Sequence, residues 1–346
     1  MKARQFVNVV MQKYGRSSTF YTMSRIKAGE QLFYGSTAEA RAAARSPRKK
    51  KFAMALPSSA VVPAWMEIMS RMPPAMLRFE ISRSDGTKLD FLPFYQRGGG
   101  GASKILCVDA AGRCFIHDID AGVSETVPSL NTPKGDNNPI CPSPDALDPE
   151  RADALYVMNQ VPVSRNPSNF EVLKCHTLLH IDGDPIFLVS SPARSAIGTH
   201  CFNTVTGKWF KAGSWTLPFF NRAEHVPELD NLWFGIDKYR PNHFCAMDMS
   251  SIHPDKPPSL MYSWLDLDLP DWVLLDCGFV YLGAGRFCIT KFFEFGMDED
   301  TGHPTEMGAV ISGVEVVHSK NENTLQMVKH KSKFYNFVRD NIVCVC

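Results

Sequence analysis

Histidines are the residues of this chain whose spacing comes nearest to a metal site. Five of them recur in the middle of the sequence: His176, His180, His200, His225 and His243. His176 and His180 are four residues apart, a spacing that places two imidazoles on one face of a helix, as in zinc proteases. The CHTLLH stretch lacks the glutamate of an H-E-x-x-H motif, and a turn and a strand follow it. We therefore predict dispersed, partly exposed histidines and no metal site.

A group of acids in SWLDLDLPDW could serve general acid and base catalysis. Asp266 and Asp268 would share one face of a strand, and Asp271 follows them. Such chemistry needs two carboxylates that face a common cleft with separated pKa values, and the sequence indicates no cleft. The alternation favours a solvated polar face. The neighbouring apolar residues would supply the core: Trp264, Leu265, Leu267 and Leu269.

Two glycine-rich stretches resemble phosphate-binding loops. In RGGGGASK (97–104) the lysine is followed by Ile105 and a strand, where a P-loop needs a serine or threonine and then a helix. LGAGRF (282–287) lacks the third glycine and the helix of a dinucleotide-binding turn. We predict a linker and a turn, and no cofactor.

Two short segments could direct localisation. SPRKKK (46–51) fits a nuclear import signal, a weak phosphate contact or a solvated surface run. The final VCVC resembles the doubly prenylated end of Rab-type GTPases, where two lipids anchor a protein stably. No GTPase motif accompanies Cys344 and Cys346, so a final apolar strand, NIVCVC, is the simpler interpretation.

The composition is that of an ordinary globular protein. Of 346 residues, 44% are hydrophobic, and 37 basic residues balance 36 acidic ones, so no overall field attracts nucleic acid or membrane. No run approaches the roughly 20 apolar residues that span a bilayer, and the basic start lacks the apolar region of a signal peptide. We expect a cytoplasmic protein, with the nucleus as the alternative if SPRKKK is an import signal.

The ten cysteines are scattered, and no CxxC pair exists, which excludes a zinc ribbon. Most lie inside apolar runs, which favours buried thiols over a disulfide framework. Examples are Cys107, Cys114, Cys245 and Cys288.

These residues must be positioned by strands. From about residue 77, short apolar segments recur between Gly, Pro, Asn and Asp residues, which is typical of antiparallel hairpins. CVDAAGRCFIHDIDAG, CFNTVTGKWFKAGSW and GIDKYRPNHFCAMDMSS each place a strand, a turn and a second strand in succession. Such meanders suit the four-stranded blades of a propeller better than a sandwich of about seven strands. We predict an all-β fold, a divergent β-propeller of about six to seven blades.

Residues 1–55 differ from the rest of the chain. An amphipathic start is followed by the alanine-rich STAEARAAAR and a basic run. We predict a peripheral, partly helical, basic N-terminal arm, followed by one propeller-like domain over residues 56–346.

Tryptophans beside the strand segments are predicted to fill the core, where the indole N–H can reach a backbone carbonyl. The alternative is that some line a binding face. The set comprises Trp209, Trp215, Trp233, Trp264 and Trp272. In the VTG turn before Trp209, Gly207 is expected to take a positive φ.

Phrases along the chain resemble the DUF1618 family of grass proteins. They include LFYGSTAEA (32–40), KILCVDAAGRCFIHDIDAG (104–122) and GTHCFNTVTGKWFKAGSWTLPF (198–219). The resemblance implies a plant protein, with a divergent propeller related in style to kelch and F-box-associated repeats, and it offers no established catalytic residues to carry over. A Trp- and Pro-rich stretch of that family is missing between FEVL and GTHCF, and the start contains no recognisable F-box.

We therefore expect a non-catalytic scaffold that binds a protein partner and has a regulatory role in plant cells. One alternative is a substrate-binding adaptor of an F-box-like ubiquitin ligase. The other is a hydrolase whose site is assembled from distant loops. Its candidate residues are His117, His200, Asp248 and Asp266.

Overall fold

The computed structural model describes most of the chain. It covers residues 4–15, 19–45, 62–63, 65–80, 88–94, 104–109, 111–130, 140–143, 154–157, 175–181, 184–190, 198–203, 205–250, 254–269, 271–297, 304–319, 324–337 and 340–346. For 140–143, 154–157, 175–181 and 184–190 it describes the backbone.

Strands make up nearly all of the regular structure in these residues. The first part of the chain contains β1 (Phe6–Tyr14), β2 (Thr19–Lys27), β3 (Glu67–Ile68), β4 (Ala75–Glu80), β5 (Leu89–Phe94), β6 (Lys104–Asp109), β7 (Cys114–Asp118), β8 (Val123–Val127), β9 (Ile140–Ser143) and β10 (Ala154–Val157). The rest contains β11 (Cys175–Ile181), β12 (Asp184–Ser190), β13 (Thr199–Asn203), β14 (Lys208–Gly213), β15 (Phe219–Val226), β16 (Leu232–Asp237), β17 (Phe244–Met247), β18 (Leu260–Trp264), β19 (Val273–Gly283), β20 (Arg286–Met297), β21 (Pro304–His318), β22 (Leu325–Phe337) and β23 (Asp340–Val345). Two short helices accompany them in the described residues, α1 (Ala28–Gln31) and α2 (Thr37–Arg45). The predicted all-β fold is confirmed.

The chain divides into two compact units. Unit 1 consists of Met1–Gly86 and Asp266–Cys346, and unit 2 of Thr87–Leu265. Unit 1 thus combines the two ends of the sequence, whereas sequence analysis separated an arm from one following domain. The predicted boundary near residue 55 lies outside the described residues.

The N-terminal segment lies inside a sheet of unit 1, whose strand order is β23-β1-β2-β4. Strand β1 pairs antiparallel with β2 on one edge and with β23 on the other. Val7, Val9, Val10 and Met11 are fully buried, because β1 has a neighbour on each edge and is covered on both faces. The apolar run that suggested an amphipathic arm is therefore a buried strand. The helical part of that prediction corresponds to α2.

The C-terminal VCVC belongs to the same sheet. The backbone N–H of Asn8 donates to the Cys346 carbonyl with an N···O distance of 2.6 Å, and the Cys346 N–H returns a bond of 2.9 Å to Asn8. The Cys346 side chain is fully buried. The apolar-strand interpretation of NIVCVC is confirmed.

The second sheet of unit 1 has the order β19-β20-β21-β22-β3 and unusually long strands. The LGAGRF stretch is the turn between β19 and β20, where Ala284 and Gly285 have φ of 51° and 72°. These angles fit a two-residue hairpin turn, and a Cβ at Gly285 would overlap the Val316 carbonyl oxygen. The predicted turn is confirmed, while residues 97–103 of the other glycine stretch lie outside the described residues.

Unit 2 contains a four-stranded meander, β5-β6-β7-β8, and an eight-stranded sheet. The eight-stranded sheet has the order β14-β13-β12-β11-β15-β16-β17-β18. Its two halves are antiparallel meanders joined by a short parallel pairing of β11 with β15. A two-stranded ladder, β9 with β10, completes the described strands of this unit.

The sheets are built like propeller blades, but there are fewer of them than predicted. The described residues form four sheets of at least four strands, so the expected six to seven blades are not supported. Two features account for the difference. Two meanders merge into the eight-stranded sheet, and β20, β21 and β22 take 12, 15 and 13 residues each, more than short blade strands need.

The repeat inferred from the sequence is visible in the hairpin turns. Between β13 and β14, Asn203 Oδ1 accepts the backbone N–H groups of Val205 and Thr206 at 2.9 and 2.8 Å, and Gly207 has φ of 66°. Between β7 and β8, Asp118 and Gly122 occupy the same two roles, with φ of 68° at the glycine. The positive φ predicted for Gly207 is confirmed.

Candidate functional site

The outermost strand of the eight-stranded sheet carries two large aromatic side chains that are exposed. Trp209 is 52% exposed and Phe210 is 44% exposed, and Val205 in the preceding turn is 59% exposed. Consecutive strand residues point to opposite faces, so both faces of β14 are open to solvent here. In the described residues β14 pairs with β13 alone. We call Val205 together with residues 208–211 the β14 edge.

Local interactions hold the β14 edge in place. Trp209 lies opposite Phe202 in the β13–β14 register, and the two ring centroids are 5.1 Å apart. Behind the strand, burial raises the pKa of the Cys201 thiol to about 12, so this sulfur is not a nucleophile near neutral pH. Lys208 and Lys211 are exposed, and along the strand they flank the two neighbouring aromatic residues Trp209 and Phe210. The β14 edge therefore offers aromatic surface, positive charge and strand backbone.

The prediction that tryptophans fill the core is wrong for Trp209 and confirmed for Trp215 and Trp233, which are 8% exposed. Trp264 is half-buried and stacks with Tyr262, at a centroid distance of 5.2 Å, and with Phe234. Trp272 is also half-buried, and its ring lies 4.5 Å from that of Phe295. Trp209 lies on an edge strand with no described strand beyond it, as Trp264 does on β18, but the rings of Phe234, Phe244 and Tyr262 stack with Trp264.

The histidines have separate surroundings. His176 and His180 lie in β11, where four residues of extended chain separate their Cα atoms by about 13 Å, so the helical zinc spacing does not arise. His200 is half-buried in β13, and His225 is exposed and stacks on Trp233. His243 Nδ1 lies 3.0 Å from Ser263 Oγ. The described residues contain no group of three or more His, Cys, Asp or Glu that could hold a metal.

The acid group is divided between surface and interior. Asp268 and Asp271 are exposed, as predicted for a solvated face. Asp266 is 4% exposed, and its carboxylate oxygens lie 2.9 and 2.8 Å from Nζ of the buried Lys291. The solvated face predicted for Asp266 is wrong: β18 ends at Trp264, so the two-residue period does not extend to Asp266, and the ion pair with Lys291 allows its carboxylate to be buried.

The residues proposed for a hydrolase have local structural contacts. His117 is 2% exposed, and its Nδ1 lies 2.8 Å from Ser124 Oγ. Burial lowers the pKa of His117, and the negative charge of Asp118 offsets part of that effect. Asp248 is exposed, and its Oδ1 accepts the backbone N–H of Ser250 at 2.8 Å, as in an Asx turn. His117, His200 and Asp248 belong to unit 2 and Asp266 to unit 1. These contacts give His117, Asp248 and Asp266 structural partners within the described residues.

Unit 1 contains a cleft of about 890 Å³ between α2 and β22, which we call the α2–β22 cleft. Helix α2 supplies Arg41 and Arg45 to its lining, and β22 supplies Lys329 and Lys331. Trp65, which is 36% exposed, also lines it.

A hydrogen-bonded chain fixes the wall of this cleft. The Tyr34 backbone N–H donates to His330 Nδ1 at 3.1 Å, so the ring proton of a neutral His330 lies on Nε2, which is 3.4 Å from Glu315 Oε2. Thr37 Oγ1 donates to the same carboxylate at 2.7 Å, and Arg286 Nε approaches it at 3.4 Å. The pKa of Glu315 is lowered to about 2, and the hydrogen bond from His330 is the largest cause. Burial acts in the opposite direction, whereas the hydrogen bond from Thr37 and the charge of Arg286 lower the pKa further.

The basic residues of this cleft were not predicted from the sequence, although two signals were present. Arg41 and Arg45 are four residues apart in an alanine-rich helix, which places them on one face. KHKSK (329–333) alternates lysines in a strand. Nothing in either pattern indicates that α2 would lie against β22.

No described helix is long and apolar enough to cross a membrane. The basic run at residues 46–51 lies outside the described residues.

Two overlapping stretches of the chain, residues 4–181 and 174–335, match the model of a family described as Protein of unknown function (DUF1668). No curated protein shows significant similarity to the chain. The resemblance to DUF1618 is wrong, because DUF1668 is a different family. Two of the phrases behind it, 104–122 and 198–219, contain strand–turn–strand units whose Asx turns and glycines are common to β-meanders, so they indicate architecture better than family. The plant origin that this resemblance implied has no support.

Proposed function

Since this chain belongs to the DUF1668 family, whose function is unknown, we propose its function from its own surface. The protein is a non-catalytic interaction scaffold that binds an extended, acidic segment of a partner protein along the β14 edge. The observation that carries this proposal is the exposure of Trp209 and Phe210, at 52% and 44%, on the outermost strand of a sheet.

An exposed edge strand is a template for an added strand, because its backbone N–H and C=O groups can pair with another chain. Natural proteins usually shorten, cover or charge such edges. The β14 edge has the charges, Lys208 and Lys211, but also two large aromatic rings that a purely protected edge would not need. Tryptophan is enriched among the residues that dominate binding energy in protein interfaces.

The partner segment is acidic because of the charge on this strand. Lys208 and Lys211 flank the aromatic pair, and exposed charges of one sign select partners of the opposite sign and accelerate their encounter. A paired strand segment with two adjacent apolar residues between two acidic ones would place a carboxylate opposite each lysine and an apolar group opposite each ring, because directly opposed strand residues share a face.

The test uses defined peptides and fluorescence polarisation. Ten-residue peptides built around an acidic–apolar–apolar–acidic sequence are compared with versions in which lysine replaces each acid. We expect the acidic set to bind and the basic set not to bind. Trp209→Ala should weaken binding by about tenfold or more. Lys208→Glu combined with Lys211→Glu should reverse the charge preference.

Met261→Ala is the matched control, since Met261 is 56% exposed on β18, the strand at the other end of the same sheet. It should leave binding unchanged. Trp209→Ala should also leave the free energy of unfolding within about 1 kcal/mol of the original, because the ring is half exposed. Equal binding of acidic and basic peptides, or full binding by Trp209→Ala, would refute the proposal.

A further inference from the structure

The α2–β22 cleft has the size of a small-molecule site. Its volume of about 890 Å³ falls within the roughly 300–1,000 Å³ typical of ligand pockets. Every residue that lines it belongs to unit 1, and none takes part in the β14 edge. The cleft is therefore a second candidate site, independent of the proposed protein-binding strand.

Positive charge reaches this cleft from two elements. Arg41 and Arg45 are one helical turn apart on α2, so they lie on the same face. Lys329 and Lys331 come from β22. Lys331 is held by its own contacts, since its Nζ donates to the Glu30 carbonyl at 2.9 Å and lies 5.3 Å from the centre of the Tyr34 ring.

Most of the negative charge in the lining is neutralised by lysines. Asp266 forms the buried ion pair with Lys291 already described. Glu67 accepts a hydrogen bond of 2.9 Å from Lys333 Nζ. Asp268 is the remaining acid of the lining, so the four basic side chains give the cleft a positive character. An anionic ligand is the chemistry that fits.

Two features narrow the class of anion. Arginine presents a planar fork of N–H donors that matches the oxygens of a phosphate. Helix α2 supplies two arginines that are one helical turn apart. Trp65 lines the same cleft and is 36% exposed, so part of its indole can stack with a planar ring. We propose that the α2–β22 cleft binds a phosphorylated small molecule that carries a planar heteroaromatic ring, as a nucleotide does.

The test is isothermal titration calorimetry of the full chain with three probes: adenosine 5′-diphosphate, adenosine, and inorganic phosphate. We expect the diphosphate to bind at least about tenfold more tightly than either of the others, because it alone satisfies both the arginines and the tryptophan. Raising the salt concentration should weaken its binding, since the attraction is partly electrostatic.

Variants locate the binding. Arg41→Gln combined with Arg45→Gln should weaken diphosphate binding by about tenfold or more. Arg41→Lys combined with Arg45→Lys should weaken binding less, because the positive charges are kept. Trp65→Leu should bring the affinity for the diphosphate close to that for inorganic phosphate. Arg71→Gln is the control, because Arg71 is an exposed arginine of unit 1 outside the cleft. Thermal unfolding of each variant checks that the fold is retained.

Three results would overturn the proposal: no diphosphate binding at millimolar concentration, equal affinity for diphosphate and phosphate, or unchanged binding in the folded double glutamine variant. None of these results bears on peptide binding at the β14 edge, so the two proposals fail separately.

Discussion

Glu315 connects three elements of unit 1 through one carboxylate. It accepts hydrogen bonds from Thr37 at the start of α2 and from His330 on β22, and it forms an ion pair with Arg286 on β20. Its side chain is 8% exposed, so these contacts are poorly screened by water. A group held in this way makes stability depend on pH.

We expect acid to weaken the fold through Glu315. The folded-state pKa of Glu315 is about 2, against an ordinary value of 4.5, so the unfolded chain takes up the proton first as the pH falls. The stabilisation is complete above about pH 4.5 and is lost as the pH falls towards 2. Glu315→Gln should lower the free energy of unfolding at pH 7 by on the order of 2 kcal/mol and flatten its decline in acid.

Urea unfolding between pH 2 and pH 7 measures this effect. Glu125→Gln serves as the control, because Glu125 is exposed on β8. The expectation is contradicted if Glu315→Gln and the control follow the same pH dependence as the original chain.

At the scale of elements, the hairpin turn after β13 depends on two residues with different tasks. Asn203 supplies a side-chain acceptor for two backbone N–H groups, and Gly207 supplies the positive φ. Apart from the glycine itself and its two chain neighbours, no described residue has an atom within 4 Å of the position a Cβ would take on Gly207. The requirement for glycine is therefore conformational.

Gly207→Ala should cost about 1–2 kcal/mol, because an L residue is strained at a φ of 66°. Gly278→Ala is the control, since Gly278 in β19 also has open space around its Cβ position and no positive φ. It should leave stability unchanged or raise it by up to about 1 kcal/mol. Chemical denaturation of both variants measures the difference, and an equal response of the two would contradict the conformational explanation.

At the scale of the molecule, the two ends of the described chain are joined in one sheet. Ile342 on β23 lies opposite Met11 on β1, and their exposed fractions are 5% and 0%. This pairing joins the two sequence segments of unit 1, which are separated along the chain by all of unit 2. Unit 1 should therefore be sensitive to changes in β23.

Ile342→Ala should lower the free energy of unfolding by about 2–5 kcal/mol through the cavity it leaves. Cys277 and Cys288 provide the readout, because both are buried in unit 1 and burial raises their thiol pKa values. Residue-resolved iodoacetamide labelling should show them reacting at lower urea concentration than in the original chain. Val273→Ala, at a site that is 43% exposed, should shift labelling little.

Much of the local structure of this protein follows from sequence alone. Asn203 and Gly207 predict their hairpin, LGAGRF predicts a turn, and NIVCVC predicts a strand, because each depends on backbone preferences within a few residues. The apolar context of Trp215 and Trp233 likewise predicts burial. These features need no knowledge of distant partners.

Tertiary structure alone decided the rest. Trp209 has the same local context as a core tryptophan, yet it is exposed on an edge strand beyond which no described strand lies. Asp266 looks like a surface acid, yet it is buried because Lys291, twenty-five residues away, neutralises it. Arg41 and Lys329 share a cleft because α2 lies against β22. Which strands pair, and which of them is outermost, depends on contacts between distant segments, and residue type and spacing do not encode those contacts locally.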